Sequence, residues 1–445
     1  MNTTGHLWLD AERFAELKRH QHTHHPHLSG ILDVCAQLKR YSPKDVLGGK
    51  SVGHERFDTF EDILIATAVT ALINADPRAA REAAEAWLEW SADARQIRSD
   101  LVLAHRILYG CVVCDCCVNH LDASTCRQLA ERFLAIADLF WAPGPDNPHM
   151  VGNNWWGVTH SAALCAGIAA SSLGMHNEEQ LAWARGRVKV FLNHFGDGGL
   201  YHEGLGYECY TLSHLLPALL LLRRFHNDRT ERYPQLRYAA HALLLASNPR
   251  QEVIDDATRL EGGAMLSWND SGLGFPHSGM WGPLMELSPE EWRGSLALCF
   301  DRICGWLGCK DFGHQGAGCF FNLIYYPYRQ RDEVNAVKLP LSARDRRQGY
   351  VLHRNRWLDA NDAILGVYAR TTHIGGHSQD DAGSIRLMDQ QHDWIIGGGQ
   401  ARPEACWQSI VVPEDGSRAG KPHPCGHIIW DERRGDHACV GMDLR

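Results

Sequence analysis

From residue 8 to about residue 250, apolar residues return every three to four positions. That spacing predicts helices over 60–74, 78–90, 99–118, 123–140, 154–173, 178–195, 206–225 and 233–246. Ser124-Thr125 marks one start, PGPDNPH breaks the chain at 143–149, and GDGG at 196–199 ends another helix. Short connections between long helices predict a stack of antiparallel hairpins. No fixed-period repeat is present, which argues against a regular solenoid. Residues 248–283 are glycine-rich and polar and read as a long functional loop or a domain edge. The helical period returns over 289–307. From Phe320 the pattern changes to short β-branched or aromatic runs parted by turn residues: FFNLIYYPY, GYVLHRN, AILGVYAR, SIRLMDQ, DWIIGG, SIVVPEDG and GHIIWDE. Helices first and strands second predict an α+β multidomain chain, with a helical domain over 1–318 and a short or truncated antiparallel β domain over 319–445.

Composition narrows the partners. The 445 residues suffice for two or three cores. A net charge of −9 disfavours nucleic acid by bulk electrostatics, yet leaves room for a local cationic groove that takes an anionic sugar. The longest apolar run, 215–222, is too short to span a bilayer. The odd count of 15 cysteines, without a short repeated framework, points to free thiols and a reducing compartment. The first residues, MNTTGHLWLDAERFAELKRHQ, lack the apolar core of a signal peptide, which again suggests the cytoplasm.

Four stretches carry candidate chemistry. In VGNNWWGVTHSAAL, Asn153 and Asn154 open a helix; one Asn suits an N-cap, and the other could present its amide to a carboxylate beside Trp155. In GDGGLYHEGLGYECYTLSHLL, Tyr201, His202, Glu203, Tyr207 and Tyr210 gather before and inside a helix, with Tyr207 and Tyr210 on one face and His214 a turn beyond Tyr210. Aromatic residues at that spacing also suit a core. The stretch 371–399 holds His373, His377 and Asp380-Asp381 among glycines, the composition of a loop that carries chemistry. Its histidines and aspartates suit either a metal or a hydrogen-bonded network. Cys111, Cys114, Cys116 and Cys117 lie inside an apolar helical pattern, where cysteine acts as a small hydrophobe, and no second ligand pair completes a zinc motif.

With these residues in place, the chain resembles the heparinase II/III-like polysaccharide lyases, a family that includes oligoalginate lyases. The shared order is Asn153-Asn154 opening a helix, then Asp197-Gly198…Glu203…Tyr207, then His377…Asp381…Ser384. The resemblance covers residues from about 60 to 412. It implies an incomplete (α/α) toroid of helical hairpins, followed by a C-terminal antiparallel β-sandwich-like domain, with the groove between them. It implies β-elimination on uronate-containing polysaccharides. Asn154 and His377 would neutralise the uronate carboxylate, and Tyr207 would serve as general base or acid. Asn153, Trp155, His202, Glu203 and Tyr210 would bind substrate, with Arg106, His105 and Arg402 as further anion contacts. The chain departs from zinc-binding relatives. Gln379 stands where they have a second loop histidine, their later aspartate position falls near Gly397, and Trp155 replaces a histidine. A zinc site of their kind is therefore not expected.

Elimination removes the proton at C5, beside a carboxylate that resists further negative charge, so donors aimed at that carboxylate stabilise the enolate-like transition state. A tyrosine of unperturbed pKa near 10 is about one part in a thousand phenolate at pH 7, equivalent to roughly 4 kcal/mol, and nearby positive charge reduces that cost. The same phenol can then protonate the leaving oxygen. The scheme requires no cofactor and no metal, although a structural divalent cation is compatible with it. The expected partner is an anionic polysaccharide or oligosaccharide: a glycosaminoglycan such as hyaluronan, chondroitin sulfate or heparan sulfate first, alginate second. Such a substrate points to the periplasm or outside, against the cysteine usage. A hydrolase using Asp197 and Glu203 is the rival chemistry, and a non-catalytic carbohydrate-binding protein is the third reading.

Overall fold

The computed structural model describes residues 6–23, 25–50, 59–97, 99–141, 150–228, 233–248, 253–255, 258–260, 263–269, 271–272, 278–303, 314–359, 361–371, 377, 379, 381–389, 392–397, 425–434 and 437–443. The chain begins with α1 (Ala11–His22), α2 (Pro26–Leu38) and α3 (Pro43–Leu47). Hairpins follow: α4 (Phe60–Asn74), α5 (Pro77–Trp90), α6 (Asp100–Cys117), α7 (Ala123–Ala137), α8 (Asn154–Ser172), α9 (Glu178–Leu192) and α10 (Leu205–His226). Their starts are written in the sequence. Thr59 and Asp62 form a reciprocal capping box on α4, while Asp76, Asp122, Asn153 and Asn177 each accept a main-chain N–H in the first turn that follows.

The helices sort into two kinds. In α4, α6, α8 and α10 nearly every side of the helix is buried. In α5, α7 and α9 one stripe is buried, as with Ala80, Ala83, Ala84 and Trp87 of α5, and the rest faces solvent. The first kind forms an inner layer and the second an outer one. The windows of α6 and α10 are long and apolar enough to cross a bilayer, but 72% and 83% of them is buried inside the protein. Cys111, Cys114, Cys116 and Cys117 of α6 are buried free thiols, and burial holds each above the ordinary thiol range.

Beyond α11 (Ala239–Leu245), the stretch expected as loop contains two small antiparallel pairs. One joins β1 (Ser247–Asn248) to β4 (Ala264–Met265), and the other joins β2 (Val253–Asp255) to β3 (Thr258–Leu260). Helices α12 (Trp281–Leu287), α13 (Glu290–Ile303), α14 (His314–Tyr325) and α15 (Tyr328–Asp332) follow. Residues 320–325 are therefore helical and Tyr328 opens α15, against the strand expected from Phe320, and the change to sheet comes after α15. Phe320, Phe321, Leu323 and Ile324 are all buried, so the run has no polar face to reveal its period.

The C-terminal sheet has the order β5 (Ser342–Asp345), β6 (Tyr350–Arg354), β7 (Ala363–Tyr368), β8 (Ser384–Asp389), β9 (Asp393–Ile395), antiparallel throughout. A separate hairpin, β10 (His427–Arg434) with β11 (His437–Asp443), lays Ile428, Val440 and Met442 over Val351 and Val367 on one face of that sheet. The 409–416 run expected as strand lies outside the described residues. Arg354 pins the sheet to the helices. It is fully buried, pairs with Asp362 through Nε at 2.7 Å, and donates from Nη1 to the carbonyls of Leu244 at 3.0 Å and Ser247 at 2.9 Å, at the end of α11.

Candidate active site

Two inner helices begin side by side. Asn153 caps α8 by accepting from the Trp156 N–H at 2.9 Å, so its carbonyl oxygen is committed to the helix start. The Asn154 N–H donates to Glu203 Oε2 at 3.0 Å, which ties the start of α8 to the segment leading into α10. Lower down, a Cβ on Gly157 would stand 2.7 Å from Thr211 Cγ2, so the two helices approach closely there. One turn back from that contact stand Asn154 on α8 and Tyr207 on α10.

The third element comes from the sheet. His377 lies in the loop between β7 and β8, and its ring stacks on Tyr207 with centroids 3.5 Å apart and planes 17° from parallel. Both side chains are partly exposed. The three segments singled out in the sequence thus meet, with Asn154, Tyr207 and His377 each at an element start or loop. His373, Asp380 and Arg402 lie outside the described residues.

The other expected residues fall into distinct places. Trp155 is exposed beside Asn154. Tyr210, one turn along α10 from Tyr207, meets His105 Nε2 at 3.0 Å across to α6; burial pushes its phenol up to about 12. His105 also packs edge-on against His214 at 4.6 Å. Arg106 turns away toward α5, donating from Nη1 to the Trp90 carbonyl and to Asp93 at 2.5 Å each, with its guanidinium 4.6 Å over the Trp90 ring. His202 and Glu203 are buried. Burial pushes His202 down to about 3, so this imidazole stays neutral at pH 7. These two residues underpin the site from below.

The sheet meets the segment before α10 through Asp345 of β5. Gly198 N–H and Leu200 N–H donate to its Oδ2 at 2.9 and 3.0 Å, and Gln348 N–H to its Oδ1 at 2.9 Å. The GDGG turn allows this approach: a Cβ on Gly198 would stand 2.3 Å from the Arg344 carbonyl oxygen. Asp197 hydrogen-bonds to Asp345. Burial pushes Asp345 up to about 7 against the pull of its main-chain donors, and Asp197 adds to the rise. For Asp197 burial acts upward, but the bond to Asp345 and nearby main-chain N–H groups hold it below the usual carboxylate range. Two acids placed this closely titrate apart, one raised and the other lowered.

Sequence reasoning passed over Tyr350, Tyr368, Asn269 and Arg370, all of which are buried. Tyr350 and Tyr368 stack at 4.3 Å and donate their hydroxyls to the carbonyls of Tyr201 at 3.4 Å and His202 at 3.1 Å. Asp381, buried, accepts the Asn269 N–H and lies 4.0 Å from Arg370 Nη1. These groups sit far from one another in the chain, and only Asn-Asp within the glycine-rich WNDSG hinted at a special loop conformation. Among the described residues, no group of three or more His, Cys, Asp or Glu side chains is arranged to hold a metal ion.

No protein-family model matches the chain, and no curated protein matches it. Among solved structures it aligns with heparinase III at a TM-score of 0.49 and 12% identity, over 84% of this chain and 57% of that one. A second heparinase III structure, with methylated lysines, aligns at a TM-score of 0.38 and 12% identity, over 79% of this chain and 52% of that one. The chain spans a little over half the length of the solved structures it aligns with.

Proposed function

We propose that this protein is a polysaccharide lyase that cleaves uronate-containing chains by β-elimination, glycosaminoglycans before alginate. The observation that carries the reading is the Tyr207–His377 stack, which sets a phenol from the helices against an imidazole from the sheet at a partly exposed junction. An imidazolium beside a phenol stabilises its phenolate. In this scheme Tyr207 takes the C5 proton and returns it to the leaving oxygen, and His377 with the Asn154 amide stabilises the charge that builds on the carboxylate. The wider groove of an incomplete (α/α) toroid over a β-sandwich belongs to the same reading. The resemblance of Asn153-Asn154, Asp197-Gly198…Glu203…Tyr207 and His377…Asp381…Ser384 to the heparinase II/III-like lyases supports it.

The hydrolase alternative fits less well. Glu203 is buried and holds the Asn154 N–H, and Asp197 is engaged with Asp345, so the two acids serve the framework. The test is ultraviolet absorbance during incubation with hyaluronan, chondroitin sulfate, heparan sulfate, heparin and alginate. The expected result is rising absorbance from the unsaturated uronyl end on at least one polymer, reduced by a factor of about 100 or more in Tyr207→Phe. Chain shortening without absorbance would overturn the lyase reading.

A further inference from the structure

We infer that Asn269 is a positioning residue that sets Tyr207 against His377; its kinetic consequence rests on the lyase reading, and its structural one does not. Asn269 is buried in the loop after β4, with φ at +60°, a left-handed conformation that asparagine tolerates better than most residues. One side-chain amide spans the junction. Its Nδ2 donates to the His202 carbonyl at 3.2 Å, and its Oδ1 accepts the Gln379 N–H at 3.3 Å. Its own N–H donates to Asp381. His202 lies just before the start of α10, one turn and a little more ahead of Tyr207, and Gln379 lies two residues beyond His377.

Asn269 is therefore a short clamp between the backbone that carries Tyr207 and the backbone that carries His377. A primary amide of this length offers a donor to one side and an acceptor to the other at any pH. An aspartate keeps the acceptor and loses the donor. A glycine keeps the left-handed backbone and the N–H to Asp381 and loses both side-chain bonds. The clamp touches no substrate. Its loss should disturb the geometry of proton transfer more than the binding of a chain, so the effect belongs to kcat.

The test compares wild type, Asn269→Gly and Asn269→Asp by ultraviolet assay between pH 5 and 8, and by hydrogen exchange of peptides covering His202 and Gln379. The expected kcat of Asn269→Gly is about 10- to 100-fold lower, with KM within threefold. The deficit of Asn269→Asp relative to wild type should narrow as pH falls, because a protonated carboxyl regains a donor. Exchange should rise in both peptides for either variant. A kcat within twofold of wild type in Asn269→Gly, or exchange that rises only around residue 269, overturns the clamp. If Asn269→Gly does not fold, Asn269→Asp carries the same readouts. If wild type gives no absorbance on any polymer, the lyase reading falls and the exchange result alone decides the clamp.

Discussion

Two buried charged residues join the sheet to the helices, and they do it in opposite ways. Arg354 of β6 spends its donors on Asp362 and on carbonyls at the end of α11, where helix C-termini leave acceptors unmet. Asp345 of β5 collects N–H groups from the turn before α10 and from its own hairpin. The guanidinium keeps its charge at every relevant pH, so that joint is permanent. Burial raises the carboxyl to about 7 and Asp197 adds to the rise, so its joint can change state. The fixed joint lies against α11, and the titratable one lies under the segment that leads to Tyr207.

The sharpest way to break this comparison is Arg354→Ala. It strands Asp362 in the interior without its counter-charge and should cost about 3–5 kcal/mol, read as a shift in the denaturant midpoint. Replacing both partners by apolar residues of similar size should restore most of that loss. A cost under about 1 kcal/mol for Arg354→Ala would show that the joint is not what fixes the sheet.

Asp345→Ala should cost less, about 1–3 kcal/mol, because it orphans main-chain N–H groups without stranding a full charge. Asp345→Asn, which resembles the protonated acid, should lie between that variant and wild type. The same midpoint measurement decides; an equal loss in both variants would mean that packing, and not hydrogen bonding, sets the cost.

The smallest effect concerns pH. Asp345 sits near 7 when folded against an ordinary value of 3.8. Stability from its proton is fully present below about pH 4 and is lost as pH rises through about 7. The stability advantage of wild type over Asp345→Asn should therefore shrink between pH 5 and 8; an advantage that grows over that range would sink the assignment of a raised Asp345. Neutral buried histidines act in the other direction. Burial pushes His27 and His202 down to about 3, so their contribution is present above about 6.5 and is lost as pH falls below it. Wild-type stability alone mixes both effects, which is why the variant difference is the useful quantity.

Local order was legible in the sequence wherever one face of an element stayed polar or a cap was written out. The helix over 60–74 and the strands at 350–354, 363–368 and 384–389 fall where spacing predicts them. Legibility failed at 320–325, where a helix buried on all sides shows no period, and at β5, whose SARD sequence has no apolar alternation. In the site, Asn154, Tyr207 and His377 stood out because glycines and histidines are rare in packing segments. Asn269, Asp345 and Arg370 did not, because their meaning lies in partners distant in the chain. Long-range pairing leaves no local periodicity to read.

The stacked rings have a consequence for the order of events in the life of the chain. Tyr207 belongs to a helix made before the sheet, and His377 to a loop made within it. The inner helices can bury one another while the sheet is still untranslated. Sugar-cleaving capacity, on the reading proposed above, would then appear only when the sheet has docked, so a chain nascent or clipped ahead of the sheet would be well packed and inert.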